Sequence, residues 1–288
     1  MAYDLTISLT GANGDTITFD NTTYTLTDGL KGFGIPATSL RIDSSALDGG
    51  IFRYSKRGVR EVDLPIVTIG ADRATTETAL RRLANILQNS SGAATLTATY
   101  TSGDVYTLTV YYAGGGETVF GDHGGISFCR WVVSLQAANP FWTSAAKTSL
   151  SIGSGNTGRG LLPQLTKMKV TSSQVFGTIT INNSSGDVPS YPVWTIVGPL
   201  DAGLQVLNSS NVGFQYNAAI GAGEIITIDT ASRTVVDSAG NNKYSNLGSA
   251  PKFFTVPPGT SVVSVNGTGS ASSTAVTCNF YPRREVVH

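Results

Sequence analysis

The chain has 288 residues, balances 19 basic against 19 acidic side chains, and is only 13% charged while holding 33 glycines. That length suits two domains, each large enough to bury a core without disulfide staples. Basic and acidic residues number ten and thirteen before residue 143 and nine and six after it, so neither half is a polyanion-binding module and no nucleic-acid specificity is expected.

Low charge with abundant Gly, Ser and Thr favours many short strands and turns. A neutral chain of this kind is also compatible with packing beside copies of itself. The opening MAYDLTISLTG has no basic leader or apolar core, so no signal peptide is expected. No run approaches the roughly 18 apolar residues of a membrane span, so no membrane insertion is expected. Cys129 alternates with Trp131, Val133 and Leu135, and Cys278 with Val276 and Phe280. A disulfide is possible on paper, but both read as core thiols on apolar strand faces.

In chain order, residues 3–10 alternate as a first strand, and strand pieces follow at 16–19 and 22–26. Residues 29–36 hold three glycines and a proline and read as loop. Strands are expected at 40–42 and 49–54, then a charged turn, then strand patterning from Val59 to Ile69. The one helix is expected at about 72–89, with Leu80, Leu83, Ala84 and Leu87 as its apolar stripe. Asp72 or a Thr at 75–76 would cap it, and Ser90-Ser91-Gly92 would stop it. A hairpin at 94–100 and 105–112, a Gly-rich loop at 113–125 and a long strand at 126–137 complete an α+β half.

Residues 143–163 are poor in large apolar residues and rich in Gly and Ser. The expected division is therefore a first domain at 1–143, a linker at 144–163 and a second domain at 164–288. About ten short strands are expected in the second half, around 167–171, 178–181, 193–197, 204–206, 212–215, 224–229, 234–236, 252–255, 261–265 and 275–281. With no helical period, this half reads as an antiparallel β-sandwich.

Reactive constellations are sparse. His123 sits in a Gly-rich loop beside Asp122, where the pair would serve as a metal or proton-transfer site; with no HExxH and no spaced partner it reads as a solvated loop residue. A Ser-His triad would need that same histidine, and no G-x-S-x-G elbow exists. Among the carboxylates of the second half, Asp187, Asp201 and Asp237 occupy turn positions. Glu224 and Asp229 bracket the strand IITI at an odd separation, so they point to opposite faces rather than across a cleft. Accordingly no catalytic residue, cofactor or metal is expected. Arg53, Lys56, Arg57 and Arg60, interleaved with Tyr54, form the one basic cluster and read as a contact with an acidic patch of a neighbouring subunit, as a weak non-specific nucleic-acid contact, or as a solvated turn. Trp194 reads as core, whereas Tyr191 and Tyr244 are candidates for an exposed glycan or partner surface.

Element order carries more than any motif. In the first half stand DGGIFRYSKRGVREVDLPIVTIG, the helix TALRRLANIL, the hairpin ATLTATYTSGDVYTLTVYY and the ending NPFW. In the second stand INNSSGDVPSYPVWTIVGP, GEIITIDTASRTV, FFTVPPGTSVVSV and VTCNFYPR. Over nearly its whole length the chain resembles the distal tail proteins of long-tailed, siphovirus-type phages. NPFW is similar to the Asp-Pro-aromatic-aromatic signature that closes the family's N-terminal belt domain, with Asn for Asp.

The resemblance implies a mainly β chain: an α+β belt domain followed by a galectin-like sandwich. It implies a homo-oligomeric ring, commonly a hexamer, in the virion tail tip. That ring would contact the tail tube, the tape-measure protein and the receptor-binding tip proteins, and would be made in the host cytoplasm. The expected ring interface lies at 49–69 and the 113–125 loop, with Arg53, Tyr54, Lys56, Arg57, Arg60 and His123 as candidates. Two alternatives stand beside this reading: a carbohydrate- or receptor-binding module using Tyr191 and Tyr244, and a sandwich glycoside hydrolase.

Overall fold

The computed structural model describes residues 5–44, 48–117, 127–153 and 174–287, with side chains from residue 177 in the last segment. Two compact units emerge, one of residues 1–145 joined by 284–288 and one of residues 146–283. The chain is mainly β, with a single α-helix among the described residues.

Unit 1 holds β1 (Leu5–Thr10), β2 (Thr16–Thr18), β3 (Tyr24–Leu26), β4 (Thr38–Ser44), β5 (Gly50–Arg57), β6 (Arg60–Ile69), α1 (Arg73–Ile86), β7 (Ala94–Tyr100), β8 (Val105–Gly115), β9 (Phe128–Ala137) and β10 (Trp142–Ser144). Seven of these strands form one antiparallel path in the order β2-β1-β7-β8-β9-β6-β3, with β10 paired to β8. Alternation decides what is buried. Val62, Leu64 and Ile66 of β6, Leu96 of β7, Leu108 of β8 and Val133 and Leu135 of β9 share one core with the helix.

Helix α1 starts where Asp72 accepts from the Thr75 amide at 2.8 Å, an N-cap that satisfies an otherwise orphaned donor. The buried stripe is Thr76, Ala79, Leu83 and Ile86. Leu83 was expected there, but Ala84 is exposed and Leu80 only half-buried, while Leu87 is buried just past the helix. Burying Ile86 removes far more apolar area from water than burying Ala84, so the helix rotates to suit it. The helix is also tied outward, with Arg82 forking onto Asp15 at 2.9 and 2.6 Å.

Unit 2 comprises β11 (Thr148–Gly153), β12 (Gln174–Asn183), β13 (Val193–Val197), β14 (Leu204–Asn208), β15 (Gly213–Tyr216), β16 (Ile225–Asp229), β17 (Thr234–Asp237), β18 (Gly259–Thr268) and β19 (Ala275–Phe280). They form a five-stranded sheet, β11-β19-β13-β16-β17, and a four-stranded sheet, β12-β18-β14-β15. Residues from both sheets make one core, with Trp194 fully buried. The Trp194 ring meets Phe214 and Phe254 edge-on at 6.3 and 6.0 Å, the arrangement that sets a positive ring edge against a negative ring face.

Some expectations are revised. Residues 148–153, assigned to the linker, pair with β19 along the whole of β11. Residues 252–255 form no strand; the chain there seats Phe254 in the core, donates the Lys252 amide to the Gly213 carbonyl at 2.9 Å and bridges to Ser190 at Val256. Both cysteines are free, but only Cys278 is buried, Cys129 being half-exposed. The strand expected at 167–171 lies outside the described residues, as does the larger part of the expected linker.

The last residues return to unit 1. Strand β20 (Arg283–Arg284) pairs with β10, Val287 is fully buried in the unit 1 core, and its amide donates to the Phe33 carbonyl at 2.9 Å.

Candidate functional site

Among the described residues, strands β4 and β5 pair only with each other and form a two-stranded ribbon. The ribbon carries Leu40, Ile42, Ile51, Phe52 and Tyr54, each at least half exposed, with Phe52 at 59% and Tyr54 at 51%. A two-stranded ribbon is marginally stable alone in water, and large apolar side chains exposed on both of its faces mark it as material for an interaction. A register shift between Arg41 and Ile42 interrupts its ladder, the kind of bulge that bends an edge and re-aims its side chains.

The base of this arm is fixed by charge. Arg57 grips Glu285 through two parallel bonds, Nε to Oε1 at 2.8 Å and Nη2 to Oε2 at 3.0 Å, and also donates to Thr38 Oγ1. Such forked pairs add geometric definition to their energy.

The predicted cluster does not stay together. Arg53 sits on the arm and pairs with Asp43 at 2.7 Å. Tyr54 and Lys56 are exposed beside it, and Arg57 holds the base. Arg60 is different: it is 1% exposed. Its guanidinium donates to the carbonyls of Pro140 and Gly32, of Gly34 at 2.8 Å and of Glu285 at 2.6 Å.

Burial pushes Arg60 down to about 10, opposed by the Glu285 charge, so it remains charged at neutral pH. Its place as an interface residue is therefore corrected to an internal clamp that joins the Gly32–Gly34 loop, the Pro140 turn and the C-terminal segment. Gly32 has φ +95, and a Cβ there would lie 2.3 Å from the Glu61 carbonyl oxygen, so only glycine brings this loop onto β6. His123 lies outside the described residues.

A second apolar surface lies on the outer face of the large sheet. Registers Ile69↔Phe128, Pro65↔Val132, Asp63↔Ser134 and Glu61↔Gln136, then Tyr111↔Gln136, place these residues on one side. Val132 is 54% exposed, and Ile69, Phe128 and Tyr111 are exposed with it. Beside them Lys31 lies 3.5 Å from both Glu61 and Asp63, and Ser134 donates to Asp63 at 2.7 Å.

Among the described residues, unit 2 brings no reactive pair together. Glu224 accepts from the Gly221 amide at 2.9 Å, and Asp229 from the Ala231 amide at 2.8 Å; each closes its own turn. Asp237 accepts from the Asn241 side chain and amide, which hold its carboxyl below the ordinary value. Among the described residues no group of His, Cys, Asp and Glu gathers at metal-ligating spacing. Two clefts of unit 1, of about 480 and 450 Å³, have Glu117 and Arg82 respectively as their carboxylate or basic lining, too little for paired acid–base chemistry.

Tyr191 and Tyr244 are both exposed. The Arg283 guanidinium covers the Tyr191 ring at 5.1 Å, and Tyr244 leans on Phe253 at 6.4 Å. Tyr191 precedes β13, whereas Tyr244 opens a separate 3-10 turn, Tyr244–Asn246.

No protein-family model matches the chain, and no curated protein matches it in sequence. Solved structures do match it. The crystal structure of the phage SPP1 Dit (gp 19.1) protein, described as a paradigm of the hub adsorption apparatus in phages infecting Gram-positive bacteria, aligns with a TM-score of 0.70. At 10% identity, that alignment covers 96% of this chain and 98% of the Dit chain. The fold is that of a phage Dit hub protein. A chain of the phage P2 baseplate in its activated conformation with Ca matches at TM-score 0.54 and 12% identity over all of both chains. The Sr form of that baseplate matches at 0.53 and 12% over 98% and 99%. Among the described residues no helix is long and apolar enough to cross a membrane.

Proposed function

We propose that this chain is a structural component of a phage tail tip, a distal tail protein whose copies form a ring. Following the family resemblance, the ring is a hexamer that joins the tail tube to the tip and its receptor-binding apparatus. Unit 1 closes the ring, and unit 2 is the module that projects and docks tail-tip partners. The observation that carries this reading is the extent of the SPP1 Dit likeness, 96% of this chain against 98% of that one. A sandwich shared by chance would match one unit; a likeness through both, in order, supports the same kind of hub.

The exposed arm is in keeping with self-assembly, since an unpartnered ribbon rich in apolar residues is material for a neighbouring copy. The turn-bound carboxylates of unit 2 favour a non-enzymatic role. Light scattering on the full chain tests the reading. The expected result is an assembly of about six times the 30.0 kDa chain mass; a monomer over the whole accessible concentration range speaks against the ring.

A host-glycan role for unit 2 is the second reading, favoured by the exposure of Tyr244. Signal on a glycan array that Tyr244→Ala abolishes would promote it.

A further inference from the structure

The larger cleft of unit 1, of about 480 Å³, lies where the C-terminal end of α1 meets the ends of β8 and β9. Leu87 and Val133, both buried, give it an apolar floor. Two aromatic rings, Tyr112 and Trp131, and the exposed amides of Asn85 and Gln88 stand around that floor. Among the described residues lining it, Glu117 carries the only charge, and its side chain is exposed.

Both rings are held in place with their own donors already bonded. Asn89 donates to the Tyr112 carbonyl at 2.7 Å and accepts from the Tyr112 amide at 2.9 Å, while the Tyr112 hydroxyl donates to the Gly115 carbonyl. Trp131 Nε1 donates to Cys129 Sγ at 2.9 Å. Gly116, at φ +71, lies so near the indole that a Cβ there would come within 2.8 Å of Trp131 Cε3. What the rings offer a ligand is therefore π surface, the negative side of the ring quadrupole. The end of α1 adds potential of the same sign, because its last carbonyls form the negative pole of the helix and no basic residue stands in its last turn. Glu117 supplies a full negative charge.

We propose that this cleft binds a small organic cation, a quaternary ammonium group of the kind choline carries. An anion meets repulsion from all three features, and a neutral ligand uses neither the Glu117 charge nor the helix end. A primary ammonium is strongly hydrated and gives up that water to enter. Methyl groups around the nitrogen weaken this hydration and pack on the Leu87 and Val133 floor. The cleft volume falls within the range of small-ligand sites. The site lies within one unit of one copy, so it stands independently of the ring reading.

Tryptophan fluorescence supplies a selective reporter for the test. Of the three tryptophans, Trp142 and Trp194 are fully buried, and Trp131 alone is partly exposed. Titrating the full chain with choline chloride at constant ionic strength should change its emission saturably, with half-effect at about 1–10 mM. Neohexanol, the uncharged carbon analogue of choline, and methylammonium should each bind about tenfold more weakly or worse. Glu117→Gln changes an exposed side chain, so melting should match the parent while choline affinity falls about threefold or more. Trp131→Phe keeps a ring but removes the reporter, so its emission should not respond to choline. No saturable change up to about 100 mM choline overturns the proposal. So does equal affinity for neohexanol or methylammonium, parental affinity in Glu117→Gln, or a choline response that persists in Trp131→Phe.

Discussion

The sharpest energetic consequence of the fold concerns two arginines seven residues apart. Arg60 is almost fully buried and spends its guanidinium on four carbonyl oxygens. Arg60→Met keeps much of the side-chain volume and deletes the donors. Each hydrogen bond to a charged group contributes about 1.5–3 kcal/mol, but the four share one side chain and do not add. Water can also reach carbonyls in the Gly32–Gly34 loop once the clamp is gone.

An expected loss of about 3–5 kcal/mol follows, in the range found when one partner of a buried charged network is removed. For a unit of this size that lowers the melting midpoint by roughly 10 °C. Arg53→Met is the control, because its pair with Asp43 is exposed and contributes at most about 1 kcal/mol. Differential scanning calorimetry reads both variants against the parent, with the unit 2 transition as internal reference. If Arg60→Met melts within about 2 °C of Arg53→Met, the clamp is not what holds the loop, the turn and the C-terminal segment together.

Other consequences can be read in the same way. Val287→Asp places a carboxylate in the unit 1 core and should lower the unit 1 transition selectively, by several degrees, leaving unit 2 unchanged in the calorimeter. The Asp15, Asp72 and Asp237 carboxyls are each held below their ordinary value, chiefly by side-chain hydrogen bonds from Arg82, Thr75 and Asn241 respectively. Because the folded values are depressed, their contribution is fully present above the ordinary carboxylate value of about 4 and is lost as pH falls through the depressed ones. Circular dichroism melts should therefore be flat with respect to these groups from neutral pH to about 5 and decline below about 4; a decline already at pH 6 would contradict that assignment.

How far the fold could be read in advance depended on the range of the interactions involved. Trp194 and Cys278 announce their burial through local alternation, and Asp72 announces a helix start through the hydrogen bond its side chain can make. Strand β11 is visible in retrospect, because Leu150 and Ile152 alternate with serines, but the surrounding Gly and Ser argue for linker. The pair Phe253 and Phe254 reads as strand, yet only Phe254 is buried and no ladder forms there.

The basic cluster shows the same limit. RYSKRGVR looks like one patch, but Arg60 shares parity with Val62, Leu64 and Ile66, so period two already places it inward. The preceding strand gives no such partition. Ile51 and Phe52 are adjacent and so fall on opposite sides of a regular ribbon, and IFRYSKR therefore has no inside. That absence was the legible sign of an arm, and it could be recognised only once β4 and β5 were seen to lack a third strand. On β9, Val132 is out of phase with Trp131, Val133 and Leu135, so the same period of two places it outward.

The buried clamp and the exposed arm belong to one physical arrangement. An arm that engages a neighbour gains most when its base is already ordered, since ordering on contact would cost part of the binding free energy. Here Arg57 and Arg60, three residues apart at the end of the arm, both reach Glu285, one its carboxylate and the other its carbonyl. Val287 anchors that segment in the core. These anchors follow residues 146–283 in the chain, so unit 1 acquires its final fixing points only after unit 2 has been made. The base of the arm is therefore anchored only once the chain extends through residue 287, a coupling that the order of the sequence imposes.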